Sequence, residues 1–231
     1  MLLAEFSLDQ LYGSNLELFA VITGIICVGL ITFENSHRAL AWWNWPIGIL
    51  TSGAYVYIFW EYELYFNSVL QLFYVVTGFY GAWAWKYGGK DKTELLVRKM
   101  KMGTVAGWAA LCIIGAMLLA GSFDFLGVDS AAPFWDGFVV TMSLTAQFIM
   151  TRKYTQHWWF WMGVDIVGVF LFWSQGLYAT SLLYFIYGCL VVRGMITWQK
   201  AYEKDKPITV TTGLYGVPEN PPTPPNMYGP A

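Results

Sequence analysis

Seven mainly apolar stretches, each about 20 residues long, constrain most strongly what this chain can fold into. A helix of that length spans the hydrocarbon core of a bilayer. A soluble domain carries roughly one quarter charged residues, whereas this chain carries 12%. The stretches do not show the period-two alternation of membrane β-strands. The sequence therefore predicts an all-α membrane protein of seven transmembrane helices, with approximate bounds 16–33, 40–60, 66–85, 104–122, 133–151, 158–178 and 181–199.

The basic residues predict how these helices are oriented. Lys and Arg favour cytoplasmic loops, and here they occupy the first, third and fifth loops and the carboxyl-terminal tail. Twelve of the 13 basic residues fall on that side, and the remaining one, Arg193, lies within a predicted helix. We therefore predict a multi-pass protein with its amino terminus outside and its carboxyl terminus in the cytoplasm.

The two ends of the chain differ from the apolar middle. Residues 1–15 are expected either to lie on the membrane surface or to be disordered. Residues 207–231 contain seven of the nine prolines, which predicts a disordered cytoplasmic tail.

An internal repeat divides the predicted helices into two groups. The segment 64–85 matches 177–198 at a constant offset, whereas the Trp-rich clusters that begin at Trp42 and Trp158 match at a slightly larger one. The first three helices (16–86) thus correspond to the last three (132–199), and the fourth (104–123) is a linker. A single spanning linker gives both triples the same direction, so we predict a parallel 3+1+3 repeat with a solute path at its interface. Aromatic residues also collect at membrane surfaces, so the Trp clusters taken alone do not establish the repeat.

Asp165 is the acidic residue that lies deep in a predicted span, where ionisable groups are costly and usually functional. It lies about 12 Å above the cytoplasmic loop, and Arg193 lies about 10 Å above Lys200 on the last helix. We expect the two charges to face each other or to share a substrate. The alternatives are an Arg193 that extends to the membrane surface and an Asp165 that makes a purely structural hydrogen bond.

Aromatic and amide side chains accompany Asp165 at similar depth. Stacking surfaces with a few polar groups suit a flat heterocycle that carries hydroxyls, and a carboxylate favours a cationic ring. Any single residue of this kind is more often a packing residue than a ligand contact. The candidate substrate contacts are Trp45, Gln71, Tyr74, Trp158, Trp161, Asp165, Gln175, Tyr184, Tyr187 and Arg193.

Other chemistry finds little support in the sequence. It contains no phosphate-binding loop motif, and His37 and His157, both at predicted helix ends, do not suggest a metal site or a catalytic triad. We therefore expect no enzymatic activity, no cofactor and no nucleic-acid partner. A seven-helix receptor shares the predicted topology and remains an alternative, but the last helix lacks the Lys that a retinal protein needs.

Several motifs resemble one known family. They include Trp158-x-x-Trp161-x-x-x-Asp165, the run Pro133-Phe134-Trp135-Asp136 and the segment 80–85, which reads Tyr-Gly-Ala-Trp-Ala-Trp. On these motifs, residues 17–202 resemble the PnuC family of bacterial vitamin transporters.

The resemblance implies a 3+1+3 fold like that of the SWEET sugar transporters, placed in the bacterial inner membrane. It also implies facilitated diffusion by alternating access, with the substrate trapped by cytoplasmic phosphorylation. The implied partners are the lipid bilayer and a small vitamin, with nicotinamide riboside favoured on family frequency and thiamine or riboflavin as alternatives. A homo-oligomer is compatible with the sequence. Many nicotinamide riboside carriers have Asn at the position of Asp165 and an uncharged residue near that of Arg193, so the substrate stays open.

Overall fold

The computed structural model describes residues 15–61, 65–126, 132–174 and 178–206, and this part of the chain forms seven long α-helices, one short α-helix and a single 3-10 turn at Lys90–Lys92. The seven long helices confirm the seven predicted helical segments. The short helix α2 lies just before the second of them. The predicted surface-lying start and the proline-rich tail fall largely outside the described residues. The helices are α1 (Asn15–Ile31), α2 (Arg38–Trp42), α3 (Asn44–Glu61), α4 (Tyr65–Tyr87), α5 (Met102–Leu126), α6 (Pro133–Thr151), α7 (His157–Ser174) and α8 (Tyr178–Asp205).

Large apolar side chains cover the outer surface of the helices. On α5, Leu111, Met117 and Leu118 are 57%, 59% and 70% exposed. Soluble monomers rarely expose apolar patches of this extent, whereas lipid tails solvate them well. By length and composition, the segments Met102–Ser122 and Ser181–Asp205 could each cross a membrane, and Leu18–Ile31 and His157–Leu171 are apolar but shorter.

The long helices pack as two groups of three. Helix α3 contacts both α1 and α4, and α7 contacts both α6 and α8. We call α1, α3 and α4 the first triple and α6, α7 and α8 the second triple. The triples meet through α4 against α6 and through α1 against α8, while α5 packs on α6. Each triple therefore presents its first and third helices to the other.

Matching side-chain contacts recur in the two triples. The hydroxyl of Ser68 on α4 donates to the carbonyl of Val56 on α3 at 2.9 Å. The hydroxyl of Ser181 on α8 donates to the carbonyl of Val169 on α7 at 2.8 Å. The offset in residue number from Ser68 to Ser181 equals that from Val56 to Val169. It is also the offset from Leu64 to Leu177 in the sequence repeat. The constant offset seen in the sequence therefore also holds in α3 and α7.

Two buried indoles correct the sequence-based pairing of the Trp clusters. The ring of Trp45 covers Gly81, where an added Cβ would lie 2.3 Å from the indole, and Trp158 covers Gly194, where the distance would be 2.4 Å. Trp45 is thus the counterpart of Trp158, at the same offset as Gly81 and Gly194, and the pairing of Trp42 with Trp158 is wrong. The residue types around Trp42 and Trp158 are similar, but the packing of Trp45 and Trp158 against equivalent glycines determines how the two halves align.

Two further tryptophans join the triples reciprocally. Trp85 Nε1 on α4 donates to the carbonyl of Met150 at the end of α6, at 3.1 Å. Trp198 Nε1 on α8 donates to the carbonyl of Ile31 at the end of α1, at 2.9 Å. The two indole rings contact each other with centroids 5.6 Å apart. Each triple therefore satisfies a backbone carbonyl of the other.

Replacing Trp198 with phenylalanine is expected to lower the stability of the protein by about 1–3 kcal/mol, because the buried Ile31 carbonyl loses its donor. The measurement is the apparent unfolding temperature of the purified protein in detergent. Trp173→Phe is the control, because Trp173 is 63% exposed. Equal unfolding temperatures for the two variants would contradict the importance of the crossed bond.

The loops that carry most of the basic residues converge at one end of the bundle. The backbone N–H of Arg98 in the third loop donates to the carbonyl of Lys153 in the fifth loop, at 2.9 Å. Arg38, at the start of α2, forms an ion pair with Asp205 at the end of α8. We call this the basic end. The grouping of these loops on one side, expected from the sequence, is therefore present in the structure.

Candidate binding site

Asp165 lies on α7 in the interior of the second triple. Its side chain is 5% exposed, and its Oδ2 has no hydrogen-bond partner among the described residues. Gly188 on α8 faces it, since a Cβ added there would lie 3.8 Å from the Cβ of Asp165. Buried polar atoms are nearly always hydrogen-bonded in native structures. An unpaired carboxylate oxygen at this depth is therefore suited to a ligand that brings a donor or a positive charge.

Aromatic side chains from both triples lie at about the same depth as Asp165. The rings of Tyr74 on α4 and Trp161 on α7 contact each other across the interface, with centroids 6.5 Å apart and planes at 61°. On α8, the rings of Tyr184 and Tyr187 lie 6.3 Å apart at 70°. Such edge-to-face arrangements leave ring faces that can stack on a flat ligand.

The two interface tyrosines occupy corresponding positions. Tyr187 matches Tyr74 in the repeat, and each reaches from the third helix of its own triple to the first helix of the other. The Tyr187 hydroxyl lies 3.0 Å from the position that a Cβ on Gly24 of α1 would take, while Tyr74 interacts with Ser143 of α6. The aromatic part of the site therefore draws on both triples.

Glycine and amide groups shape the rest of the site. The ring of Tyr184 fills the space above Gly168, where an added Cβ would lie 2.2 Å from it. Gln147 Nε2 on α6 donates to the hydroxyl of Thr77 on α4 at 3.3 Å, which adds a polar contact between the triples. Gln71, the counterpart of Tyr184 in the repeat, is half-buried on α4.

A groove of about 250 Å³ lies between α7 and α8 and opens on the outer surface of the second triple, where Ile166 and Phe185 are 51% and 59% exposed. Asp165, Tyr184 and Gly188 lie along it, and its other walls are apolar side chains from both helices. It is somewhat smaller than the roughly 300–1,000 Å³ of typical ligand sites.

Three of the predicted substrate contacts either lie away from this cluster or fall outside the described residues. Trp45 and Trp158 are 2% exposed, pack against glycines near the basic end, and have indole nitrogens without a hydrogen-bond partner among the described residues. Gln175 lies outside the described residues. The structure thus brings together Tyr74, Trp161, Asp165, Tyr184 and Tyr187, with Gln71 on the adjoining helix.

The expected pairing of Asp165 with Arg193 is wrong in this structure. Arg193 is exposed, and its guanidinium lies over the ring of Phe33, 5.1 Å from the centroid. Within the described part of the chain, no ion pair joins it to Asp165. Gly188 on α8 faces Asp165, and Arg193 lies five residues further along the same helix. Five residues rotate the side-chain direction by about 500°, so Arg193 points about 140° away from the direction of Gly188.

Sequence reasoning missed a buried charge pair at the basic end. Lys153 Nζ lies 2.8 Å from Glu34 Oε1, and both side chains are at most 1% exposed. Burial raises the pKa of the Glu34 carboxyl, against the opposing effects of Lys153 and Arg38. The available signal was an acidic residue in a loop otherwise assigned to the basic side.

A bundle of seven apolar helices with an interior polar and aromatic site between two similar halves has the architecture of a membrane transport protein. The chain belongs to the nicotinamide mononucleotide transporter family, whose pattern matches residues 14–200. Members of this family are membrane transporters, so the chain is a transporter and not an enzyme.

The relatives agree with that assignment. The nicotinamide riboside transporter PnuC of Escherichia coli is 28% identical over 209 residues, covering 80% of this chain and 85% of that protein. PnuC of Haemophilus influenzae is 26% identical, covering 87% of this chain and 89% of the relative. The riboflavin/roseoflavin transporter RibM of Streptomyces davaonensis is 27% identical over 77% of this chain and 84% of its own length.

A solved structure shares the fold. The crystal structure of the vitamin B3 transporter PnuC superimposes with a TM-score of 0.65, at 24% sequence identity, and covers 86% of this chain and 87% of that one. The all-helical architecture is thus that of a known transporter.

Proposed function

We propose that this protein carries nicotinamide riboside across the bacterial inner membrane by facilitated diffusion. The two triples form a parallel 3+1+3 repeat with α5 as the linker, and they rock against each other around a site at their interface. The amino terminus lies outside and the carboxyl terminus in the cytoplasm, so that a reporter joined after Ala231 is cytoplasmic. Phosphorylation in the cytoplasm traps the substrate, and no coupling ion is needed.

The observation that carries the preference for a cationic vitamin is the unpaired, buried Oδ2 of Asp165. Arg193 does not pair with this side chain, and the positive charge of a bound cation would favour its ionised form beside Trp161 and Tyr184. The pyridinium ring of nicotinamide riboside is flat and cationic, and can both stack on the aromatic rings and pair with the ionised carboxylate. The names of the PnuC relatives support the same substrate.

Riboflavin is the second candidate, supported by the likeness to RibM. Its isoalloxazine ring is flat but neutral, so it would gain stacking without compensating the carboxylate. Thiamine carries a cationic thiazolium and has to be separated from nicotinamide riboside by measurement.

The test is uptake of labelled nicotinamide riboside by liposomes containing the purified protein, with unlabelled nicotinamide riboside, thiamine and riboflavin as competitors. With the membrane potential held at zero, we expect uptake that stops at equal concentrations on the two sides and needs no proton or sodium gradient. Asp165→Asn is expected to weaken binding of nicotinamide riboside about tenfold, because a carboxylate that faces the cation is worth about 1.4 kcal/mol or more. Uptake of riboflavin without nicotinamide riboside would assign the protein to the second candidate.

A further inference from the structure

Lys153 and Glu34 meet where the two triples face each other at the basic end. Lys153 Nζ lies 2.8 Å from Glu34 Oε1 and 3.2 Å from Glu94 Oε1. Glu34 follows α1 in the first triple, and Lys153 follows α6 in the second. The contact with Glu34 therefore crosses between the triples, in the interior and away from solvent.

The two residues occupy corresponding positions in the halves. Glu34 lies three residues after Ile31, whose carbonyl accepts the indole N–H of Trp198, and Lys153 lies three residues after Met150, whose carbonyl accepts that of Trp85. Two equivalent positions that contact each other lie beside the approximate two-fold axis that relates the triples. A pair in that place separates whenever the triples move apart at this end.

The backbone at Lys153 is held in an unusual conformation. Its φ is 53°, in the left-handed region that non-glycine residues seldom adopt. Hydrogen bonds hold it there, since its N–H donates to the Met150 carbonyl at 2.9 Å and its carbonyl accepts the N–H of Arg98 at 2.9 Å. Strained residues that their surroundings hold in place are common at functional sites. Here the strained backbone directs an ammonium group towards the axis.

An aromatic layer lies next to the pair. Lys153 Nζ sits over the ring of Trp85, 4.6 Å from its centroid, and Trp85 contacts Trp198. Trp45 and Trp158 complete a set of four indoles that are at most 2% exposed. A solute moving from the interface site to this end has to pass the four rings and the charge pair.

A second ion pair joins the triples at the same end. Arg38 pairs with Asp205, whose Oδ2 also accepts the backbone N–H of Val97 at 3.2 Å. Arg38 Nε lies 3.4 Å from Glu34 Oε1, so this pair is continuous with the buried one. The charged contacts thus connect the start of α2, the third and fifth loops and the end of α8 into one closure.

We propose that the Glu34–Lys153 pair, continued by Arg38–Asp205, is the gate at the basic end, and that it separates each time the transporter opens on that side. The proposal rests on the proposed transport function. The basic end is shut in this structure. A buried ion pair suits this role because it contributes little net stability yet is costly to leave half-formed, so the end favours fully closed or fully open arrangements.

The test is a reversible cross-link in a background in which Cys27, Cys112 and Cys189 are replaced by serine. Glu34→Cys with Lys153→Cys is treated with a bis-methanethiosulfonate reagent, which joins the two thiols through disulfides that dithiothreitol cleaves. We expect cross-linking to lower uptake into liposomes at least tenfold and dithiothreitol to restore it. The control is Val56→Cys with Ser68→Cys, which joins α3 to α4 within the first triple and should leave uptake unchanged after cross-linking.

Arg38→Cys with Asp205→Cys repeats the experiment at less buried positions, so that a folding defect in the first pair does not prevent a result. Unchanged uptake in cross-linked protein, verified by mass spectrometry, would overturn the gate. The assay uses whichever vitamin the uncross-linked protein carries. Its starting rate therefore tests the transport function, and the ratio after cross-linking tests the gate.

Discussion

Replacing Trp161 with alanine is expected to weaken nicotinamide riboside binding about 10- to 100-fold. Stacking of a base on an aromatic side chain is worth about 1–3 kcal/mol, and each 1.4 kcal/mol changes affinity tenfold. Trp161 contacts Tyr74 across the interface and lies one helical turn from Asp165, so a cationic ring at this point meets both a π face and a carboxylate. The measurement is the dissociation constant of the purified protein by calorimetry.

Trp159→Ala is the matched control for this prediction. Trp159 lies on the same helix, but its side chain is 48% exposed, so its removal should leave affinity unchanged. Trp161 also packs against two buried clusters of apolar side chains. The unfolding temperature of each variant must therefore be recorded with its affinity. Equal affinities in folded Trp161→Ala and Trp159→Ala would place the vitamin elsewhere.

The second large effect concerns the glycines beneath the buried indoles. Gly194→Ala is expected to destabilise the protein by about 3 kcal/mol, at the upper end of the usual cost of overpacking, because the new Cβ would lie 2.4 Å from the rigid ring of Trp158. Gly81→Ala should behave alike, because its Cβ would lie 2.3 Å from the ring of Trp45. The measurement is the yield of monodisperse protein in detergent together with its unfolding temperature.

Gly107→Ala provides the comparison, since a Cβ there meets nothing within 4 Å. Alanine also favours helix over glycine by about 1 kcal/mol, so this variant should be as stable as the parent or slightly more stable. If Gly194→Ala and Gly107→Ala gave the same unfolding temperature, the indole at Trp158 would not be held against α8 in the way described.

The helices and the repeat could be predicted because they depend on the order of residue types along the chain. Apolar runs of bilayer length gave all seven long helices. The repeat from residue 64 onwards was legible because its residues match one for one at a constant offset. Trp45 and Trp158 were misaligned because their role depends on a glycine in a neighbouring helix, which similarity between Trp clusters does not reveal.

The candidate site could be predicted only in part. Trp161 follows from Asp165 by helix geometry, and Tyr184 and Tyr187 lie on the helix that packs against it. Arg193 was assigned to the same site because its depth matched, but depth does not determine which face of α8 a side chain occupies. The Glu34–Lys153 pair joins loops that are far apart in the sequence, and such a contact depends on how the triples dock.

The crossed indole bonds also bear on the order in which this protein is assembled. The Ile31 carbonyl accepts its indole donor from Trp198, so α1 obtains this partner only after α8 has been made. Contacts this far apart in sequence form slowly, because a long segment of chain must be ordered before they are gained. Until then the newly made amino-terminal half lies in the membrane with an incomplete interface. A second unfinished copy cannot supply the missing donor to Ile31, because it also lacks Trp198. The crossed contact between the triples is therefore complete only once α8 has been made.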